Sequence, residues 1–308
     1  MGKLKVFGHL NPDLDSIASS VACAYLLEKR GIDAVACRLG EFNKEVKFAL
    51  NRFGIMLEMP IIEALEDSEE VVLVDHNEFN QSVKNIENAK IRMVIDHHKI
   101  DNFRTSEPLE YIAKPVGCNS TIMFKLLEEK DALDRKDILA LLLSAIISDT
   151  LLLKSPTTTD EDKEVANRLS DMLGINIDEY GFELLKAGAD LSDLTADELV
   201  KIDSKVFDAN TLKVEIAQIN AVDMDSILVR QAEIEEAMNK VIDSKGLAAF
   251  LVAVTDVINC NSEIIALGSR IDIIEKAFNV KLNNNRAFLK GVVSRKKQLA
   301  PQVVEAAK

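Results

Sequence analysis

The 308-residue chain predicts an α/β protein: an N-terminal, mainly parallel sheet flanked by helices, with a second, smaller α/β domain. Three observations predict it. Short apolar strand-like runs alternate with helix-period segments through the first hundred residues, the pattern of a parallel sheet. Helical segments then dominate from about Ser120 to Lys186. Beyond a polar break, strand and helix signals resume in a stretch long enough for its own core.

The elements follow in order. "KLKVFG" (3–8) reads as a strand, and "DSIASSVACAYLLEKRG" (15–31) as an amphipathic helix closed by Gly31. "DAVACRLG" (33–40) is a strand and "KEVKFALNRFG" (44–54) a helix. Two short strands come next, "EVVLVD" (70–75) and "IRMVID" (91–96). "ILALLLSAIISDTLLL" (138–153) reads as a buried helix. It is shorter than the roughly 20 residues of a membrane span, and it contains Asp149. Around "AGADLSDLTADEL" (187–199) the periodicity breaks, and Thr195 and Glu198 have capping-box spacing. The expected domains are therefore 1–188 and 195–308, joined by a linker over 189–194. In the second domain "TLKVEIAQI" (211–219) and "AAFLVAVTDVI" (248–258) are strands, with one long helix over about 223–244 between them.

Composition narrows the function. A net charge of −14 argues against a non-specific nucleic-acid binder, which needs a broad basic field. The four cysteines (Cys23, Cys37, Cys118, Cys260) are widely spaced without a C-x-x-C, which fits reduced thiols. "MGKLKVFGHL" leads straight into a strand and does not read as a signal peptide. Position 6 is Val6, so the Met-Gly start lacks the Ser or Thr of a myristoylation signal. Together these point to a cytoplasmic protein without a membrane partner.

The chemistry concentrates in "GHLNPDLDS" (8–16) and three later places. All four histidines, His9, His76, His97 and His98, stand within two residues of a predicted strand's carboxyl end. Ligands of parallel sheets bind there, and scattered core histidines would not segregate so. Pro12 biases Asn11 away from helix, which expects His9, Asp13 and Asp15 on a loop. Helix capping alone explains one aspartate of "DLDS" and leaves the rest without a role. Asp75 and Asp96 end apolar strands, and Asp149 lies in an apolar helix where an unpaired carboxylate is costly. The groups His9, Asp13, Asp15, Asp75, His97 and Asp149 suit Mn²⁺, Co²⁺, Zn²⁺ or Fe²⁺. Six donors fit two ions sharing a bridging carboxylate, an arrangement that clamps in-line displacement at phosphorus. Lys276 to Val304 contains seven bases and no acid, sharpest at "VVSRKKQ" (292–298), and points to an anionic ligand at a helix start.

"DHH" (96–98), with "NPDLDS", "VDHNE" and "SDT", resembles the DHH phosphoesterase superfamily, and "SRKKQ" narrows the resemblance to family II inorganic pyrophosphatases. It covers essentially the whole chain. It implies an enzyme that splits pyrophosphate into two phosphates with Mn²⁺ or Co²⁺, two ions per active site, and Mg²⁺ arriving with the substrate. It also implies a site between a catalytic and a lid domain, and a homodimer formed through the N-terminal sheet. Carried over by motif, one ion takes His9, Asp13 and Asp75, and the other Asp15, Asp75, His97 and Asp149. Asp75 bridges them, and a bridging water is activated as hydroxide. His98, Arg295, Lys296 and, on a weaker motif, Lys205 are implied as catalytic groups binding phosphate oxygens. A nucleotide phosphodiesterase or exonuclease of the superfamily is disfavoured, because there is no Gly-Gly, no Trp and only 5% aromatic content for base stacking. "SRKKQ" argues against a short-chain exopolyphosphatase, and a non-catalytic metal or phosphate sensor is the alternative outside enzymes.

Overall fold

The computed structural model describes residues 3–209 and 212–307. They form two compact units, Met1–Gly188 and Ala189–Lys308.

In the first unit, β1 (Leu4–Phe7), α1 (Leu14–Lys29), β2 (Ala34–Ala36), α2 (Lys44–Phe53), β3 (Glu70–Val74), β4 (Lys90–Asp96) and β5 (Glu110–Ala113) are followed by four helices. These are α3 (Asn119–Glu128), α4 (Lys136–Asp149), α5 (Asp160–Leu173) and α6 (Ile177–Gly188). The strand order is β2-β1-β3-β4-β5, and every pair is parallel. Residues 71–74 of β3 are buried on both faces, as a central parallel strand requires. The sheet's direction of growth reverses between β1 and β3, which is where such folds bind ligands. Phe7 pairs with Leu73, and Val74 with Ile95, so the carboxyl ends of β1, β3 and β4 lie level.

Three local expectations change. Helix α1 is not amphipathic: every residue from Leu14 to Ser20 is buried, polar ones included. It packs on α3 and α4 as well as the sheet, so Ser19 and Asp15 find partners on α3, while Ser20 bonds back to the Ser16 carbonyl. Helix α4 stops at Asp149, and the rest of the apolar run turns away with Leu151, Leu152 and Leu153 at φ 47°, 57° and 62°. Strand β5, four half-exposed residues at the end of the sheet order, carried too little alternation to be recognised.

The second unit contains α7 (Ala196–Leu199), β6 (Lys205–Ala209), β7 (Leu212–Ala221), α8 (Met224–Leu228), α9 (Gln231–Lys245), β8 (Ala249–Asp256), β9 (Asn261–Leu267), α10 (Ile271–Phe278), β10 (Arg286–Lys290) and α11 (Ala300–Ala306). The sheet runs β10-β9-β8-β7-β6, with β7 and β8 parallel and the other pairs antiparallel. Strand β8 is buried throughout and alternates between two cores. Phe250, Val252 and Val254 join Ile234 and Met238, while Leu251 and Ala253 join Ile274 and Val303. Thr195 and Glu198 form the capping box of α7. The expected single helix over 223–244 is two helices. The break falls at Arg230, whose guanidinium reaches the Leu194 carbonyl (2.9 Å), a long-range tie invisible to periodicity.

Candidate metal centre

The site is built on the level strand ends of the first unit. His9 follows β1, and the chain turns through Asn11 in the left-handed region (φ 54°) and Pro12 into α1. Asp13 caps the helix, its Oδ1 accepting from the Ser16 N–H (2.9 Å). Asp15 lies in the first helical turn, not on the loop as expected, because Asp13 starts the helix two residues earlier. Asp75 stands one residue past β3 at φ 57°, a conformation aspartate tolerates better than most residues. His97 follows β4, and Asp149 ends α4.

These groups converge. His9, Asp13 and Asp75 offer donor atoms within 4.8 Å of one another, and so do Asp15, His97 and Asp149. Asp75 faces both ways: His9 Nε2 lies 3.5 Å from its Oδ2, and His97 Nε2 lies 3.2 Å from its Oδ1. His9 Nε2 is also 3.3 Å from Asp13. Each of these imidazoles has its Nδ1 on a backbone carbonyl, Leu10 for His9 (2.8 Å) and Val116 for His97 (3.0 Å). That leaves Nε2 of each to face the cluster, the usual orientation of a metal-binding imidazole. Asp15 is held by the start of α3, accepting from the N–H groups of Asn119 (2.5 Å) and Ser120 (2.9 Å) and from the Ser120 hydroxyl (2.6 Å). A cavity of about 350 Å³ opens beside Asp13, Asp75, His97, His98 and Asp149.

Electrostatics tests whether divalent cations fit. Four carboxylates share the cluster, and Asp75 Oδ1 is buried without a hydrogen-bond donor. Burial, then the neighbouring Asp15 charge, pushes Asp75 up to about 6 and Asp149 well above the carboxylate range. Burial lowers the basicity of His9 and His97, but the adjoining carboxylates outweigh it and raise them to about 11 and about 9. Both directions describe a site where protons stand in for positive charge. Divalent cations supply that charge with the imidazoles neutral and the carboxylates ionised. The donor set fits.

His98 is held differently. Its Nδ1 lies 3.8 Å from Asp75, but the same nitrogen bonds Asp96 Oδ1 (2.9 Å), so it is committed to Asp96. Asp96 in turn accepts from Asn77 Nδ2 (2.6 Å). Asp96 and Asn77 were not expected as site residues, although the motifs "IDHH" and "VDHNE" contain them. His76 is structural. It is buried, bonds the Val74 carbonyl and Ser82, and burial lowers its pKa to about 4.

The remaining predicted site residues belong to the second unit. Lys205 begins β6 and is exposed, with its ammonium 5.8 Å from the Phe207 ring. The bases of "SRKKQ" sit in a π-type turn, Arg295–Leu299, capped by Ser294, rather than at an α-helical start. Pro301 occupies the first turn of α11, which begins at Ala300. Lys296 is exposed. The Arg295 guanidinium forks onto Asp203, through its carbonyl (2.6 Å) and carboxylate (2.7 Å). Other bases of the acid-free run are engaged internally, Arg286 with Glu263 and Lys281 with Glu275. The run as a whole is therefore not one anion-facing surface.

Fold and donor set define a DHH-type α/β protein with a carboxylate–imidazole cluster whose donors could hold divalent cations. The DHH family N-terminal domain matches residues 3–146, and the DHHA2 domain matches residues 182–306. The chain is 50% identical to a manganese-dependent inorganic pyrophosphatase of Bacillus pumilus and 51% identical to one of Oceanobacillus iheyensis, each over 99% of both chains. A family II inorganic pyrophosphatase structure from Methanococcus jannaschii matches over 99% of both chains, with 41% identity and a TM-score of 0.61. The chain belongs to the family of manganese-dependent, family II inorganic pyrophosphatases.

Proposed function

We propose that this protein hydrolyses inorganic pyrophosphate to two phosphates with Mn²⁺, two ions per active site. The observation that carries this is Asp75, whose two carboxylate oxygens face different imidazoles at the centre of two donor groups. His9, Asp13 and Asp75 would hold one ion, and Asp15, Asp75, His97 and Asp149 the other. When bound, such a pair supplies Lewis-acid charge neutralisation and lowers the pKa of a coordinated water. The chain's own groups do the rest. His98, oriented by Asp96, whose hydrogen bond raises the imidazole's pKa, donates to a phosphate oxygen. Lys205, Arg295 and Lys296 neutralise charge on the phosphoryl and leaving groups. Arg295 has five N–H donors, so its bonds to Asp203 still leave donors for phosphate.

Co²⁺ as an alternative activator and Mg²⁺ carried by the substrate belong to the same proposal. So do a cytoplasmic location, supported by four free cysteines, and a homodimer, for which β5 at the end of the sheet order offers an edge. Among the described residues no helix is long and apolar enough to cross a membrane.

The test is phosphate release from pyrophosphate against a nucleotide panel. Chelation is expected to abolish activity, and Mn²⁺ or Co²⁺ to restore it better than Mg²⁺ alone, because imidazole ligands suit Mg²⁺ poorly. Full activity after exhaustive chelation would exclude the two-ion reading.

A further inference from the structure

Asp162 is a carboxylate with no exposed surface that the chemistry above does not use. It is the third residue of α5, and its Oδ2 accepts from the N–H and hydroxyl of Thr159 (both 2.7 Å), closing that helix's capping box. Capping explains no more than this. The same oxygen accepts from the Gly117 N–H (2.8 Å), and Oδ1 accepts from the Thr121 hydroxyl (2.6 Å), more than forty residues away in sequence. Asp162 thus grips residues 117–121, the entry to α3, from behind. The fit is close: a Cβ added at Gly117 would lie 2.7 Å from Asp162 Oδ2.

The other side of this segment holds the metal centre. The Val116 carbonyl fixes His97, and the Asn119 and Ser120 N–H groups fix Asp15. His97 and Asp15 belong to one donor group, completed by Asp149. The other group is oriented locally, His9 by the Leu10 carbonyl and Asp13 by the Ser16 N–H. We propose that Asp162 is a positioning residue for one of the two cations only, the one held by Asp15, His97 and Asp149. It acts by fixing the 116–121 segment that aims two of those donors. The proposal rests on the two-ion reading above.

The test is Mn²⁺ titration of the full chain, resolved into two binding steps, by calorimetry or by the Mn²⁺ resonance signal. Asp162→Ala is expected to weaken one step by about 10-fold, and by no more than the roughly 100-fold that losing a ligand's own outer partner costs, because it acts through the 116–121 backbone, and to leave the other within about twofold. Thr159→Ala loses the cap hydroxyl but keeps Asp162 bonded to Gly117 and Thr121. It is expected to lower the melting temperature and leave both steps unchanged. If Asp162→Ala does not fold, Thr121→Val removes one grip at constant shape and is expected to weaken the same single step by about tenfold. Folded Asp162→Ala with both steps intact, or with both weakened equally, overturns the proposal, and so does Thr121→Val with both steps unchanged. Wild-type protein that takes up no Mn²⁺ refutes the two-ion reading itself, a result distinct from these.

Discussion

Adjacent residues at this site have opposite surroundings. His97 turns Nε2 to Asp75 and commits Nδ1 to a carbonyl, whereas His98 commits Nδ1 to Asp96 and is half exposed. His97→Ala is therefore expected to lose bound Mn²⁺. His98→Ala should retain its metal and lose about 10²–10³ in turnover, the usual cost of one charge-stabilising donor. Elemental analysis beside phosphate release separates the two, and equal metal loss in both variants would refute the assignment. Asp96 gives a pH signature. Burial would raise its pKa, but hydrogen bonds from His98 and Asn77 hold it down at about 2. A carboxyl group depressed in the folded state stabilises above its unfolded pKa, near 4, and loses that contribution as pH falls through about 2. Asp96→Asn is expected to cost on the order of 2 kcal/mol at pH 7. The gap from wild type, followed by urea unfolding, should shrink steadily below about pH 4. A gap constant down to pH 3 would show that the hydrogen-bond geometry matters and the charge does not.

At the scale of elements, the end of α4 sets the position of Asp149. The helix closes there because three leucines adopt left-handed conformations, and buried Leu152 then packs against Gly181 of α6. Gly181 of α6 permits that approach: a Cβ would lie 2.2 Å from Leu152 Cδ2 and 2.9 Å from Ile147 Cγ2. Gly181→Ala is expected to destabilise the protein by about 1–3 kcal/mol through overpacking, seen as a lower urea midpoint. An unchanged midpoint would mean that the leucine turn yields freely. The sequence shows the apolar run but not where it stops being helical, because left-handed leucines follow no propensity rule and are imposed by packing. The α8–α9 break at Arg230 is similar, since its partner Leu194 lies 36 residues away. Strands β1, β3 and β4 were legible because apolar runs ending in Asp or His are local signals, and β5 was not because it is short and half exposed.

For the whole molecule, the division of labour follows the division of the chain. The six proposed metal donors and His98 lie in Met1–Gly188, and Lys205, Arg295 and Lys296 in Ala189–Lys308. A fragment of residues 1–188 is expected to bind Mn²⁺ through a comparable donor set and to hydrolyse pyrophosphate at least about 10²–10³ more slowly. Near-wild-type turnover by a folded, metal-loaded fragment would reduce the bases of the second unit to a solvated face. Arg295→Lys in the full chain is also expected to impair turnover, because a point charge replaces neither the fork onto Asp203 nor a bidentate phosphate contact.

By itself the sequence determined the α/β class, the strand ends that carry the histidines, and all six candidate donors. Apolar alternation and residue chemistry are local properties, and the motifs hold those residues in short windows. The motif resemblance already implied how the donors divide; only the tertiary structure decided that the two oxygens of Asp75 face different imidazoles, that Asp15 rests on the start of α3, and that His76 is structural. It also decided that Asp162 grips the segment behind His97 and that Arg295 leans on Asp203. Those relations join residues up to about a hundred positions apart. Their geometry comes from strand register and helix packing, which no local pattern in a single chain encodes.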